Sequence, residues 1–330
     1  MTKPDIIERL QTSVPAALLL LAGMQLEVFT HLADGPRSVD ELAMALGVRE
    51  NRLSRLLYAL VATGLLEQRE SNFANSDEAA SFLVKGRPDY LGDAHGLLAQ
   101  LWRADLLTAQ SIRSGAPAAL HDFTTCSDQE MMAMLRGMHP FAVAAGRDLA
   151  RRFDFSECRS IVDVGGGSGG LVAALCEANH SLRGTLFELP RNAALAADIM
   201  RSTTGGDRVS IEEGDILKAP PEGEHDAAVL RAVVQILAPP DAARAITHAV
   251  TAIRPSGSIY IMGGGILNND RLGPQSAVFL NVTFMNLYPA GAAYTEAEHA
   301  AWLAAAGCGE PQRIVLPSGG SIIHAKRLGR

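Results

Sequence analysis

The sequence predicts an α/β protein in two parts: a helical N-terminal region, then a mostly parallel sheet with helices on both faces. Three observations predict it. Ile161-Val162-Asp163-Val164 is a short apolar run that ends in a carboxylate and opens into five glycines within six residues, Gly165 to Gly170, before a helical segment from Leu171 to Ala178. From Ser160 onward, strand-like runs at Ile161–Val164, Gly184–Glu188, Val209–Glu212, Ala227–Leu230, Ser258–Met262, Arg313–Leu316 and Ser321–Ala325 alternate with helical ones. Such alternation argues a parallel sheet covered on both sides. Residues 1–85, by contrast, read mainly as helical.

The N-terminal elements follow in order. Pro15 to Leu32 reads as one apolar helix, suited to packing on another subunit. Ser38 with Glu41 three residues later makes a capping box at the next helix start. After a turn at Gly47-Val48, the helix from Arg49 to Thr63 carries Leu53, Leu56, Leu57 and Leu60 at helical spacing. Two short strands, 64–68 and 71–74, complete a winged helix. Arg49, Arg52 and Arg55 would face DNA in a regulator, but a net charge of −7 disfavours phosphate binding. A dimerisation role is the better reading, with no nucleic-acid partner. The expected domains are 1–90, an essentially all-helical winged-helix dimerisation domain; 91–150, a helical linker and lid broken near Ser114-Gly115-Ala116-Pro117; and 151–330, the sheet domain.

Composition narrows the class. The 330 residues are 48% hydrophobic and 20% charged, the balance of a globular protein with sizeable cores. Cys126, Cys158, Cys176 and Cys308 are scattered, without disulfide or metal spacing. His95, His121, His248 and His324 form no metal triad. The longest apolar run, Val14–Met24, has 11 residues and contains Pro15, too short to span a bilayer. With no clear leader, the expectation is a cytoplasmic protein with no membrane partner.

The glycine turn is a cofactor cradle. Glycine permits positive φ and close ligand approach, and the helix behind it offers free N–H groups. Gly165-x-Gly167-x-x-Gly170 fits a dinucleotide fingerprint, and Glu188 ends the next strand, so NAD is one reading. Two features oppose it. About 160 residues precede the turn, and a further acidic signal, Gly214-Asp215-Ile216, follows the third strand, where it suits an adenine amino group.

At this point the motifs carry a resemblance. Val162-Asp163-Val164-Gly165-Gly166-Gly167-Ser168-Gly169 resembles motif I of S-adenosylmethionine (SAM) dependent methyltransferases. Phe187-Glu188-Leu189-Pro190, Gly214-Asp215-Ile216, Leu230-Arg231-Ala232-Val233-Val234 and Tyr294-Thr295-Glu296 resemble, in order, later segments of the caffeate- and hydroxyindole-type O-methyltransferase family, bacterial branch included. The resemblance covers essentially the whole chain. It implies a Rossmann-like class I methyltransferase domain with a mostly parallel seven-stranded sheet, a last strand running antiparallel, and a homodimer interleaved through residues 1–35. It implies SAM as cofactor and no metal. Asp163 and the backbone of Gly165, Gly167 and Gly169 would hold the methionine part, Glu188 the ribose, and Asp215 with Ile216 the adenine; Arg231 would lie nearby.

The same resemblance exposes a gap. Family O-methylating members place a His base after the fourth-strand motif, oriented by two Glu residues. Here Gln235 stands at the His position, Met262-Gly263-Gly264-Gly265 at the first Glu and Ala293 at the second. A glutamine amide cannot take a proton. A thioether acceptor has no proton to lose, and its sulfonium product is stabilised by aromatic faces and amide oxygens. Trp102, Phe141, Phe284 and Tyr288 supply faces; Gln235 and Asn281 supply oxygens. A thioether sulfur is therefore the favoured acceptor, as in the family's bacterial members that methylate methylthio acids toward dimethylsulfoniopropionate. Carbon is the near rival, with His139 of Arg136-Gly137-Met138-His139-Pro140-Phe141 as a base. Arg136 would bind a substrate carboxylate, while Met138, Met285 and Tyr288 would line the small-molecule pocket. His299, beside Trp302 on an amphipathic helix, reads as a surface residue. Alternatives are a secondary-metabolite O-methyltransferase, a SAM-binding enzyme that does not methylate, and a winged-helix regulator.

Overall fold

A computed structural model describes residues 4–87, 89–121 and 125–329. They form two compact units, Met1–Ala99 and Gln100–Arg330.

The first unit comprises α1 (Asp5–Gln25), α2 (Val28–His31), α3 (Val39–Leu46), α4 (Glu50–Ala62), the strands β1 (Leu66–Arg69) and β2 (Asn72–Asn75), and α5 (Asp77–Phe82). It is thus not all-helical, because β1 and β2 pair antiparallel as a hairpin. The expected single helix from Pro15 to Leu32 is two, because Glu27 takes a left-handed conformation between α1 and α2. Ser38 and Glu41 form the predicted capping box, with the Ser38 N–H donating to Glu41 Oε2 at 2.8 Å. Leu53, Leu57 and Leu60 of α4 pack with Phe29, Leu42 and Phe73. On α1, Ile6, Ile7, Leu10, Val14 and Leu18 stay exposed. With 21 residues, α1 is long and apolar enough, by length and composition, to cross a membrane. The run from Val14 is shorter than the helix because Thr12 and Ser13 interrupt it, while α1 continues upstream through Ile6, Ile7 and Leu10.

Helix α6 (His95–Asp105) spans the division between units. The second unit continues with α7 (Thr108–Ser114) and the long α8 (Asp128–Arg152), started by a Ser127–Glu130 capping box. Then come β3 (Ser160–Val164), α9 (Gly170–Ala178), β4 (Arg183–Glu188), α10 (Pro190–Met200), β5 (Val209–Glu213), β6 (His225–Arg231), α11 (Pro239–Thr251) and β7 (Ile253–Gly263). The chain ends with β8 (Ile266–Leu267), α12 (Gln275–Leu287), β9 (Tyr294–Thr295), α13 (Glu296–Ala305), β10 (Gln312–Val315) and β11 (Ser321–Lys326).

Seven strands form one sheet in the order β10-β11-β7-β6-β3-β4-β5. The pairs β6/β7, β3/β6, β3/β4 and β4/β5 are parallel, whereas β11 runs antiparallel to both its neighbours. This is the predicted class I, Rossmann-like arrangement. Strand β7 starts at Ile253, five residues before the predicted Ser258, because Arg254-Pro255-Ser256-Gly257 reads as a turn yet stays within the strand.

Alternation along the strands builds a core on each face. Val162, Val164, Leu230 and Ile261 pack with Ala242, Ile246 and Ala249 of α11. Ile161, Val229 and Tyr260 pack with Leu149 of α8 and Leu171 and Leu175 of α9. Strand β3 lies between β4 and β6, so the strand order reverses at its carboxyl end. A doubly wound sheet binds ligands at such a point.

Candidate cofactor and acceptor site

The chain leaves β3 through the glycine turn. Gly165, Gly167 and Gly169 have φ of 64°, 59° and 74°. These left-handed values favour glycine. At Gly166 the reason is space, since a Cβ would lie 2.4 Å from the Asp163 carboxyl. Asp163 is fully buried, and neither carboxylate oxygen has a hydrogen-bond partner. Burial pushes its pKa up to about 7 against the pull of the Arg231 guanidinium; Glu188 adds to the rise, and the nearby Val172 N–H draws it down. Burial in turn pulls the Arg231 pKa down. Asp163 and Arg231 line one cavity together with Gly166, Ser168 and, from α8, Leu135 and Met138.

Glu188, at the end of β4, is 7% exposed. Its Oε2 accepts from the Gly167 N–H at 2.9 Å and its Oε1 from the Leu189 N–H at 2.8 Å. One side chain thus ties two strand ends together. Asp215 accepts from the Leu217 N–H through Oδ1 (3.0 Å) and faces Lys218 through Oδ2 (3.3 Å). Ile216 is nearly buried, and His248 Nδ1 donates to its carbonyl at 2.6 Å.

The acceptor-side residues gather around Gln235, in a 3-10 turn after β6. Its Oε1 accepts from the Gly265 N–H at 3.1 Å. A Cβ on Gly263 or Gly265 would fall 2.8 Å from that oxygen, so the amide occupies room that the glycines leave. Ala293 is buried, and its N–H donates to Asn281 Oδ1 at 2.7 Å. Asn281 therefore secures a loop. The Phe284 ring borders Gly265, and Tyr288 packs against Gly291 near the Gln235 carbonyl. Burial pushes the Tyr288 phenol up to about 12. The His121 ring stands beside the Tyr288 ring, with centroids 6.3 Å apart, so one imidazole borders this cluster.

The other expected site residues are placed as follows. Met285 on α12, Trp102 on α6 and Phe141 on α8 are half-buried, and Arg136 is exposed. Met138 faces the cofactor cavity. His139 has its Nδ1 3.0 Å from Ser168 Oγ and its Nε2 3.3 Å from Thr203 Oγ1, so its ring serves the glycine turn and not the Gln235 cluster. His299 is not on the surface but 1% exposed, against Tyr294 and Trp302, and burial depresses its pKa to about 4. An alanine-rich helix gave its spacing little power to mark the inner face. Sequence reasoning missed Asn192, whose side chain reaches Glu188 at 3.3 Å, and Thr203; neither sits in a motif. Among the described residues, no group of three or more His, Cys, Asp or Glu could hold a metal ion.

These residues fit SAM. An unpartnered buried carboxylate beside a turn with Ser168 as its one side chain suits an ammonium-bearing amino-acid end. An acid at the neighbouring strand end suits ribose hydroxyls. Fold and cradle together define a SAM-dependent methyltransferase. The chain belongs to the O-methyltransferase family: residues 110–309 match its O-methyltransferase domain and residues 5–85 its O-methyltransferase dimerisation domain. It is similar to the 3-hydroxy-5-methyl-1-naphthoate 3-O-methyltransferase of Streptomyces sahachiroi, at 29% identity over 96% of this chain and 93% of that one. It is 30% identical to the N,N-dimethyltransferase OxyT of Streptomyces rimosus, over 64% of each chain. The crystal structure of human N-acetylserotonin methyltransferase in complex with SAM covers 100% of both chains with a TM-score of 0.86 at 20% identity, a likeness of fold.

Proposed function

We propose that this enzyme methylates a small molecule at an atom that needs no protein base, a thioether sulfur; a carbon acceptor, which draws on modest base help, comes second. The observation that carries the reading is the Gln235 cluster, where the base position holds an amide whose oxygen is already bonded to the Gly265 N–H. When bound, SAM supplies an electrophilic methyl group on a sulfonium. Asp163 and Arg231 would hold its amino-acid end, Glu188 its ribose, and Asp215 with Ile216 its adenine. The protein's contribution is then orientation of the two reactants, which alone lowers a displacement barrier substantially. Phe284 and Tyr288 supply aromatic faces beside Gln235, a setting that favours a cationic product.

Two names among the relatives favour other acceptors, a hydroxyl in one and an amine in the other. A neutral amine shares with a thioether the free lone pair. A hydroxyl would have to arrive ionised or give its proton to a group outside the cluster. The deciding experiment offers labelled SAM with methylthio acids, arylamines and hydroxyarenes. Transfer to a thioether at a rate flat with pH is expected. A hydroxyarene turned over fastest, with kcat/KM set by a protein group rather than its own ionisation, would overturn the reading.

The N-terminal unit is proposed as a winged helix that forms the homodimer. The support is the dimerisation-domain match and the exposed stripe Ile6, Leu10, Val14 and Leu18 of α1, whose area a partner copy would cover.

A further inference from the structure

Behind the glycine turn lies a row of polar contacts that the methyl-transfer reading does not use. It starts on α10. The Thr203 hydroxyl lies 2.9 Å from the Ile199 carbonyl, which can only accept, so its one proton goes there. Toward His139 Nε2, at 3.3 Å, Thr203 Oγ1 is then an acceptor, and Nε2 carries a proton. The ring sits in an apolar setting that lowers its pKa, so a single proton is expected on it. Nδ1 is left bare and accepts from the Ser168 hydroxyl at 3.0 Å. Ser168 Oγ in turn accepts from the Gly170 N–H at 3.4 Å. That N–H belongs to the first residue of α9, where no intrahelical acceptor exists. Every proton in the row has one direction.

The packing around it is equally specific. A Cβ on Gly170 would lie 3.0 Å from His139 Nδ1 and 3.1 Å from the His139 carbonyl oxygen. Further along, a Cβ on Gly146 would lie 2.3 Å from the Leu171 carbonyl oxygen. Helix α8 therefore touches α9 backbone to backbone at two points. The same α8 sends Leu135 and Met138 to the wall of the cavity that holds Asp163.

We propose that His139 is a positioning residue: held as the Nε2–H tautomer, it fixes Ser168 and thereby sets the cofactor turn against helix α8. It neither takes a proton from the acceptor nor touches it. This rests on the glycine turn being the SAM turn, so one measurement is made without any ligand.

In the ligand-free enzyme, the imidazole nitrogens of His139 are read by nitrogen-15 NMR, with His139→Asn used to assign them. An unprotonated Nδ1 and a protonated Nε2 at pH 7 are expected; a protonated Nδ1 or an averaged ring overturns the proposal. Binding of S-adenosylhomocysteine is then measured by calorimetry. His139→Ala is expected to weaken it about tenfold, the worth of one lost buried hydrogen bond. His139→Asn, which keeps an oxygen near the Nδ1 position, should recover most of that. Ser168→Ala should match His139→Ala, and the double variant should be no worse than either. In turnover, the SAM KM should rise while the acceptor KM stays. Unchanged binding in His139→Ala, additive losses in the double variant, or a fall in kcat alone would overturn it. Failure of the unaltered enzyme to bind S-adenosylhomocysteine would instead count against the function, leaving the NMR result to judge the tautomer.

Discussion

The two sides of the active centre treat their polar groups in opposite ways. On the cofactor side, Asp163 is fully buried with both oxygens unpartnered. On the acceptor side, the oxygens of Gln235 and Asn281 are taken by the Gly265 and Ala293 N–H groups. Burying a charge without a partner is costly, so Asp163 meets the cost by drawing a proton, and its pKa stands near 7. An unpartnered acid is tolerable where a cationic ligand will cover it. The acceptor side shows no such buried charge among the described residues around Gln235, although the Asn286 Oδ1 of α12 is buried without a partner. On the proposed reading, recognition of the cofactor is electrostatic, while recognition of the acceptor rests on shape and aromatic surface.

The sharpest break of this contrast is Glu188→Ala. It removes the group expected on the ribose and frees the Gly167 and Leu189 N–H groups at once. Calorimetry should show S-adenosylhomocysteine affinity down by about a hundredfold or more, since two or more hydrogen bonds to a charged acceptor are lost. Retained affinity would mean the cradle is held by something else.

Next in size is a pH effect at Asp163. Its folded pKa, about 7, lies above the 3.8 of the unfolded chain, so the folded apo protein holds this proton more tightly. Stability from this group is therefore full at low pH, declines as pH rises from about 4 to 7, and levels off above. Cofactor affinity should move the other way, rising through about pH 7 as the carboxylate ionises opposite the amino group. Asp163→Asn should abolish both slopes, read by thermal unfolding and by calorimetry across pH 5–9. Slopes that survive it belong to another group.

How much of this was legible in the sequence follows the same division. Seven strands, the capping box at Ser38 and the glycine turn are local patterns, and period and spacing reveal them. The acids Asp163, Glu188 and Asp215 stand at strand ends, where a doubly wound fold puts its ligands. The acceptor side is built from contacts across long stretches of chain, such as Gln235 with Gly265 and Asn281 with Ala293. No period encodes those. His139 shows the difference well: its place on a pocket-lining helix was readable, but the ring direction was not, because Ser168 lies 29 residues away and Thr203 lies 64 away. His299 is a different case: Tyr294 and Trp302, which pack on it, are close in sequence, but the alanine-rich helix gives no sharp apolar face to mark its inner side.

The smallest expected effect is the most discriminating. Gln235→Ala removes an amide oxygen and leaves the Gly265 N–H, in a half-buried loop, without its acceptor. That is worth about 1 kcal/mol of local order. If the amide only shapes the pocket, kcat should fall less than about tenfold, with no change in the pH profile. Loss of a proton-abstracting residue would cost about a hundredfold to ten-thousandfold and would flatten a pH-dependent limb. The companion variant is Gly263→Ala, whose Cβ would press on Gln235 Oε1 at 2.8 Å and push the amide off Gly265. Both variants should slow transfer to a similar small extent, because both act on one contact. If Gly263→Ala leaves the rate untouched while Gln235→Ala abolishes it, the amide acts on the acceptor directly and the two sides of the centre are more alike than their hydrogen bonds suggest.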